Sequence, residues 1–251
     1  FIMQLRKTYI FNLKFNTEGS MMNKLQKKLD FLLQKHAIEK NIVLKERNTV
    51  SIDGIELPLF SHRYERRLVE LKKIVCDGTL FGISVMRTAR IVESGSNIFD
   101  ELRRELDICQ YVLDRKIKTV TAMQNDNVLN VIATTDDKIV CTIEISATLS
   151  AGEAPKDKHE IISQRGIACD IVVDAQLKQD SIYVFGTENK QYTDVDFEIF
   201  GLSVADTAIV RSAFALAQTD DYSCVKENAQ NLEKLVELAK KSAETNERMA
   251  L

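Results

Sequence analysis

Between residues 117 and 149, apolar and polar side chains alternate, and this pattern constrains the fold more than any other feature of the chain. The clearest case is the run KIVCTIEISATL, in which every second residue from Ile139 to Leu149 is apolar. Because successive side chains of a strand point to opposite faces, a period of two predicts a strand with one buried and one more polar face. Such strands are typical of antiparallel sheets. The sequence therefore predicts a large antiparallel sheet.

Further short segments, separated by turn signals, extend the predicted sheet: IKTVTAM, NVLNVIATT, HEIISQR, IACDIVVD and SIYVFG. In IACDIVVD the alternation places Ile167 and Cys169 on the buried face and Asp170 on the other. Two helices are predicted to close the chain, near Val204–Ala217 and Val225–Glu247. The predicted fold class is α+β, with a large open, mostly antiparallel sheet and helices packed on one face.

The N-terminal third gives three local predictions. Residues 8–15 alternate and predict a strand, and the TEGS break after them leaves open whether residues 1–22 belong to the fold. From Asn23 to about His36, leucines recur at helical spacing. Asp53-Gly54 predicts a two-residue hairpin turn, and Pro58 indicates that the strand after it lies at a sheet edge or ends there.

Charge and composition exclude several classes of partner. The net charge of −3 gives no overall attraction to nucleic acid, and no apolar run is long enough to cross a membrane. Three basic residues interrupt the N-terminal apolar stretch, which makes it a poor signal peptide. Four of the 5 Cys fall on apolar faces of predicted elements, and none forms a C-x-x-C pair. This usage predicts buried free thiols and a cytoplasmic location.

The stretch SGSNIFDELRRELD, residues 94–107, predicts a helix capped by Asn97 that continues through CQYVLDRK. One side of it carries an apolar stripe: Ile98, Leu102, Leu106, Cys109 and Leu113. A second stripe is polar and consists of Asp100, Arg104, Asp107 and Tyr111. An ordinary surface pair explains Asp100 and Arg104 without any site, and the alternative is that the polar stripe contacts a ligand.

No self-sufficient catalytic motif is present. The sequence contains no G-x-G, no phosphate-binding G-x-x-x-x-G-K-[ST] loop and no G-x-S-x-G elbow. The 3 His do not stand at metal-ligand spacing, and His159 is interpreted as a strand-end or core histidine. The acidic pairs Asp136-Asp137 and Asp220-Asp221 suit turns and helix starts. The residues alone therefore assign no certain catalytic residue and no metal site.

From about Leu57 to the C-terminus, the order of segments resembles the C-terminal domain of the glucose–fructose oxidoreductase / inositol dehydrogenase / MocA family. Three segments carry this resemblance: SHRYERRLVELKKIVCDGTLFGISVMRTAR, HEIISQRGIACDIVVD and SCVKENAQNLEKLVELAKKSAET. The resemblance divides the chain into residues 57–251, a domain of that kind, and residues 1–56, an extension or a remnant of a nucleotide-binding domain. It also implies a homo-oligomer formed through the open sheet face, here Val140, Thr142, Glu144 and Ser146.

The family's signature in this domain is D-x-G-x-H-x-x-D at the start of the central helix, a place that DELRRELD occupies. Asp100 and Asp107 match, whereas Leu102 replaces the Gly and Arg104 replaces the His. The resemblance assigns that His the role of general acid and base near the nicotinamide, which Arg cannot perform because it does not release its proton. The Gly-rich nucleotide loop is absent, and VLKERN is only a faint counterpart of the family's lysine motif. The resemblance therefore implies that this chain binds no cofactor by itself. NAD or NADP is expected only if a Rossmann domain is supplied elsewhere.

Three hypotheses follow from these departures. In the first, the chain is a non-catalytic relative that keeps the substrate-binding and oligomerisation domain. In the second, it is part of an active oxidoreductase whose Rossmann domain is missing from this chain, and Asp100, Arg104 and Asp107, with Tyr111 beyond them, bind a sugar-like small molecule. In the third, it is a small-molecule sensor or scaffold without redox chemistry. Neither nucleic acid nor a membrane is an expected partner.

Overall fold

The computed structural model describes residues 2–170, 181–184, 190–193 and 201–251, with side chains placed for residues 19–170 and 201–251. The chain divides into two compact units. The first unit combines Phe1–Glu65 with Val195–Lys226, and the second combines Arg66–Asp194 with Glu227–Leu251. The boundary expected between residues 56 and 57 falls inside the first unit, which also takes in a later part of the chain.

Helices account for a large part of the described residues. Their bounds are α1 (Ile2–Lys35), α2 (Arg66–Cys76), α3 (Ile98–Leu113), α4 (Val204–Ala217) and α5 (Ser223–Thr245), with one 3-10 turn at Ser61–Tyr64. Each described helix is too short or too polar to cross a bilayer.

The described strands form three separate sheets. Their bounds are β1 (Ile42–Glu46), β2 (Thr49–Ile52), β3 (Ile55–Pro58), β4 (Ile83–Glu93), β5 (Ile117–Asn125), β6 (Val128–Thr135), β7 (Val140–Leu149), β8 (Lys156–Ser163), β9 (Gly166–Cys169), β10 (Ser181–Val184), β11 (Lys190–Thr193) and β12 (Met249–Ala250).

The first unit is built on the antiparallel sheet β1-β2-β3 together with α1 and α4. The predicted hairpin is confirmed, because Asp53 and Gly54 both adopt positive φ between β2 and β3. Pro58 ends the edge strand β3, also as predicted. The core consists of apolar side chains from all five elements, among them Leu25, Leu29, Leu44, Val50, Leu57 and Ile209.

The strand predicted at residues 8–15 is wrong, because these residues lie within α1. Extending an existing helix costs far less than nucleating one, and the leucine stripe that begins at Leu25 supplies the nucleus. Gly19 also lies inside α1 and does not end it. A single glycine disfavours a helix by only about 1 kcal/mol relative to Ala.

The second unit contains a seven-stranded sheet in the order β12-β5-β6-β7-β4-β8-β9. The α+β class is confirmed, but the expectation of a mostly antiparallel sheet is corrected, since the sheet is mixed. Its central strands β4 and β7 run parallel, with Thr88 beside Ile143. After β4 the chain crosses over through α3 and then forms the antiparallel meander β5-β6-β7, which returns β7 alongside β4 in the same direction. Residue periodicity carries no information on that direction.

The seven-stranded sheet has one covered face and one open face. The covered face packs beneath α3, whose predicted apolar stripe is confirmed by the burial of Leu102, Leu106 and Cys109. Asn97 caps this helix as predicted, because its side chain accepts a hydrogen bond from the Phe99 backbone N–H at 3.1 Å. The opposite face is lined by side chains that include the exposed Met123, Val128 and Ile132. We call it the open sheet face.

Burial corrects two further predictions. Of the 5 free Cys, only Cys109 and Cys141 are buried, whereas Cys76, Cys169 and Cys224 are exposed. The faces predicted for this segment are reversed: Ile167 and Cys169 of β9 are exposed, and the side chain of Asp170, directly after β9, is fully buried. Asp170 is drawn inward by ion partners, which periodicity alone does not reveal. The remainder of the predicted strand, residues 171–174, lies outside the described residues.

Candidate functional site: a buried ion cluster under helix α3

Eight ionisable side chains lie together in the second unit, between α3 and the covered face of the sheet. The cationic members are Arg67, Arg90, Arg104 and His159, and the carboxylates are Glu101, Glu105, Asp157 and Asp170. We call them the α3 cluster. The exposed fraction of these side chains runs from zero at Glu105, His159 and Asp170 to 26% at Arg67.

The sheet register places the strand members of the cluster. In the antiparallel pair β4–β8, Thr88 stands opposite His159 and Arg90 stands opposite Asp157. Residues two apart on a strand share a face, so Arg90, Asp157 and His159 all point toward α3. Two hydrogen bonds from backbone N–H groups hold Asp170 beside His159: the His159 N–H donates to the side-chain oxygen Asp170 Oδ1 at 2.7 Å, and the Asp170 N–H donates to the His159 carbonyl at 3.1 Å.

Three guanidinium groups converge on the carboxylate of Asp157. Arg67 donates to both oxygens, at 2.7 Å from Nη1 to Oδ1 and 2.9 Å from Nη2 to Oδ2. Arg90 and Arg104 each approach Oδ2 at 3.2 Å. Burial by itself would raise the pKa of Asp157, but the hydrogen bonds and charge of Arg67, aided by Arg104, hold that pKa well below its usual range. Asp157 is therefore ionised throughout the physiological range.

His159 lies between two carboxylates. Its Nδ1 is 2.5 Å from Asp170 Oδ2, and its Nε2 is 3.1 Å from Glu105 Oε2. Because each ring nitrogen faces a carboxylate oxygen, these contacts favour the imidazolium, which carries a hydrogen on both nitrogens. Burial lowers the pKa of His159, but the charges of Glu105 and Asp170 outweigh it and raise that pKa to about 9.

Glu105 completes the network from the helix side. Its side chain is fully buried, and Arg104 Nη1 lies 2.5 Å from its Oε1. Burial raises the pKa of Glu105, but the positive charges of Arg104 and His159 outweigh that effect and lower it to about 2. Arg90 pairs in addition with Glu101 through its Nε. The cluster thus balances four positive charges with four negative ones.

Neither Glu105 nor His159 has a pKa near neutral pH. A general acid or base works best with a pKa near the working pH, whereas the pKa values of Glu105 and His159 are displaced to about 2 and about 9. Glu105, Asp157 and His159 also offer ligand atoms within 4.8 Å of one another, a spacing that suits a metal ion. Metal binding would require a deprotonated imidazole, and guanidinium donors already contact both carboxylates. The contacts therefore favour a closed ion network over a metal centre.

The structure separates the four residues of the predicted polar stripe. Asp100 is exposed, and only Arg104 belongs to the α3 cluster. Asp107 is buried and accepts a hydrogen bond from Asn228 Nδ2 at 2.8 Å. The ring of Tyr111 lies 4.6 Å from the ammonium group of Lys72. A role of these residues in substrate binding stays a prediction.

Sequence reasoning missed most of the cluster, although one signal was available. Glu105 stands three residues after Leu102 and four before Cys109, which puts a carboxylate on the core side of α3. A buried carboxylate requires a charged partner, so this position alone indicates an ion pair. His159 lies inside β8 rather than at its start, and the core interpretation of that residue is confirmed by its burial.

Comparisons with known proteins identify solved structures that have a similar fold. No family model matches the sequence, and no curated protein matches it. The chain is similar to the crystal structure of scyllo-inositol dehydrogenase from Lactobacillus casei with bound NAD(H) and scyllo-inositol: 16% identity, TM-score 0.55, 76% of this chain and 63% of that one. It is also similar to a myo-inositol dehydrogenase from Corynebacterium glutamicum ATCC 13032: 16% identity, TM-score 0.56, and the same two coverages of 76% and 63%.

A third similar structure is GenD2 from gentamicin A biosynthesis in complex with NAD, at 14% identity and TM-score 0.55 over 76% of this chain and 62% of that one. The chain spans less than two thirds of the length of each of these proteins. At such identities the likeness establishes the fold. Over about three quarters of its length, the chain has the fold of inositol dehydrogenases of the glucose–fructose oxidoreductase / inositol dehydrogenase / MocA family, consistent with their C-terminal domain as the resemblance predicted.

Proposed function

We propose that this chain belongs to the sugar and polyol dehydrogenase lineage, retains a substrate-binding and oligomerisation domain, and performs no NAD(P)-dependent catalysis on its own. The observation that carries the proposal is that Arg104 is held in ion pairs. This residue stands where the family's signature has its His, and its guanidinium is bound to Glu105 and Asp157. An always-charged side chain fixed in an ion network does not accept or release the proton that accompanies hydride transfer.

The first unit supports the same conclusion for the cofactor. Dinucleotides bind where a Gly-rich turn joins a parallel strand to a helix N-terminus. Among the described residues, the sheet of the first unit consists of three antiparallel strands, and the sequence contains no G-x-G. The residues present therefore do not fit a nicotinamide dinucleotide.

The test is a titration of the purified chain with NADH and NADPH, followed by cofactor fluorescence and thermal shift. We expect no saturation at a cofactor concentration of about 1 mM, which corresponds to a binding free energy weaker than about −4 kcal/mol. The Arg104→His variant should behave in the same way, because one imidazole does not create a nucleotide site. Saturable binding with hydride transfer to or from a polyol would contradict the proposal.

The oligomerisation part of the proposal concerns the open sheet face. Met123, Val128 and Ile132 project from it with exposed fractions of 70%, 46% and 48%. The same face carries Glu144 of β7 and Arg87 of β4, which provides charges of both signs for a self-complementary contact. In a dimer with two-fold symmetry the same patch serves both partners, which suits a surface of this composition.

A charge placed in the middle of the open sheet face should break such a dimer. We expect Ile132→Lys to weaken self-association by at least about tenfold, because a buried lysine without a partner is costly at an interface. Phe81→Lys is the matched control, since Phe81 is an exposed apolar residue of the same unit outside that face. Sedimentation velocity over a concentration series measures the effect. A monomeric wild type, or equal effects of both variants, would contradict the dimer.

A further inference from the structure

The carboxylate of Asp157 is surrounded by three arginines, which come from three different secondary-structure elements. Arg67 comes from α2, Arg90 from β4 and Arg104 from α3. Arg67 and Arg90 donate hydrogen bonds to its carboxylate, and Arg104 forms an ion pair with it. The planar two-point contact of Arg67 is the arrangement by which arginine recognises a free carboxylate. The two further contacts on Oδ2 add to that recognition.

We propose that Arg67, Arg90 and Arg104 form a binding site for a sugar acid, a polyol that carries a carboxylate, and that Asp157 fills this site as an internal stand-in when no ligand is bound. The inference rests on the proposed function, because it assigns a ligand class to the substrate-binding domain that the chain is proposed to retain.

The position of Asp157 permits this exchange. Its side chain is 12% exposed, and those of the three arginines are 13% to 26% exposed, so solvent reaches this side of the cluster. Asp157 is the second residue of β8 and follows residues 150–156, all of which are exposed. The exchange requires the Asp157 carboxylate to move from the three guanidiniums toward this exposed segment. Glu105, His159 and Asp170 have fully buried side chains and hold the rest of the cluster in place.

Charge balance determines which ligand fits. Replacing the Asp157 carboxylate by the carboxylate of a ligand exchanges one negative charge for another and keeps the three guanidiniums paired. A neutral sugar or inositol offers hydroxyl groups only and would leave buried positive charge uncompensated, at a high cost. Inorganic phosphate shares the oxyanion chemistry but is tetrahedral and carries more charge, so the geometry favours a carboxylate.

The experiment compares the full-length chain with its Asp157→Asn variant, which removes the internal competitor and keeps the side-chain shape. Isothermal titration with sodium D-gluconate should show binding at least about tenfold tighter to the variant, because the fraction of empty sites rises. Sorbitol, the neutral counterpart, should bind to neither protein. Adding Arg67→Gln to the Asp157→Asn variant should abolish the gain in affinity for gluconate. Sodium phosphate distinguishes a general oxyanion site from a carboxylate site.

Each outcome decides the proposal. Equal binding of gluconate and sorbitol, gluconate binding that survives Arg67→Gln, or binding of phosphate but not gluconate would each overturn it. Should Asp157→Asn fail to fold, refolding by gluconate but not by sorbitol or sodium chloride supports the site, and no refolding by gluconate refutes it. The titration with NADH and NADPH does not depend on gluconate binding. A failure of the proposed function and a failure of the gluconate site can therefore be told apart.

Discussion

Replacing Glu105 by Gln is expected to lower the free energy of unfolding by about 3–5 kcal/mol, the cost of removing one partner from a buried ion pair. The substitution leaves the imidazolium of His159 and the guanidinium of Arg104 beside a neutral amide, in a place where the Glu105 side chain has no exposure. Urea unfolding monitored by circular dichroism measures the change. A loss comparable with that of a surface substitution would show that these charges are not coupled.

Asp100→Asn provides the matched control for this experiment. Asp100 is also an acidic residue of α3, just over one turn before Glu105, but it is exposed. A neutral amide at a solvated position should change the free energy of unfolding by no more than about 0.5 kcal/mol. Equal losses in both variants would attribute the effect to the helix rather than to the α3 cluster.

Stability is also expected to decrease as the solution becomes alkaline, because His159 loses its proton. The folded protein raises the pKa of His159 from 6.5 to about 9, so this group's contribution is complete below pH 6.5 and disappears as the pH passes through 9. A shift of that size corresponds to about 3 kcal/mol of folding free energy. The loss lies between pH 6.5 and about 9, where the folded protein keeps the proton of His159 and the unfolded chain has released it.

Unfolding by urea at a series of pH values from 6 to 10 tests this dependence, with His159→Gln as the reference. The variant lacks the titrating ring, so the difference in unfolding free energy between the two proteins should shrink across that range. Subtracting the two curves removes the contribution of every other group that titrates in both. A difference that does not change with pH would contradict an imidazolium at His159.

Local patterns predicted the local parts of the fold. Asn97 and the apolar stripe of α3, the Asp53-Gly54 turn and the alternation of β7 all depend on residues close in sequence, and each is confirmed. The parallel pairing of β4 with β7 is different, because it depends on how the chain returns after α3. The direction of a strand leaves no trace in its own periodicity.

The N-terminal segment shows how local patterns fail. Four apolar residues at every second position between Tyr9 and Phe15 satisfy the strand pattern, yet residues 8–15 continue α1. A period-two run of that length is short, and the helix that extends from the leucine stripe prevails over it.

The site was less accessible to sequence reasoning than the fold. Glu105 and His159 are 54 positions apart, and Arg67 reaches Asp170 across 103 positions. Only the register of β4 with β8 and the placement of α3 above them bring these residues together. The signature comparison predicted Arg104 in the place of the family's His, and the structure puts Arg104 in the α3 cluster. The comparison did not reveal that an imidazole lies nearby on β8, fixed between two carboxylates.

The protonation state of His159 determines whether the cluster could take part in acid–base chemistry. His159 is bound to a carboxylate on each of its two ring nitrogens. A group that keeps its proton to about pH 9 is a structural cation at neutral pH. The second unit thus keeps the dehydrogenase fold with a site whose charges compensate one another.

The measurement that tests this account most directly is an NMR titration of the imidazole of His159, assigned among the 3 His of the chain by comparison with His159→Gln. We predict that both ring nitrogens stay protonated at neutral pH and that the resonance titrates with a midpoint of about 9. A midpoint near the ordinary value of 6.5 would contradict the account. It would mean that His159 exchanges its proton at neutral pH and is available as an acid or base.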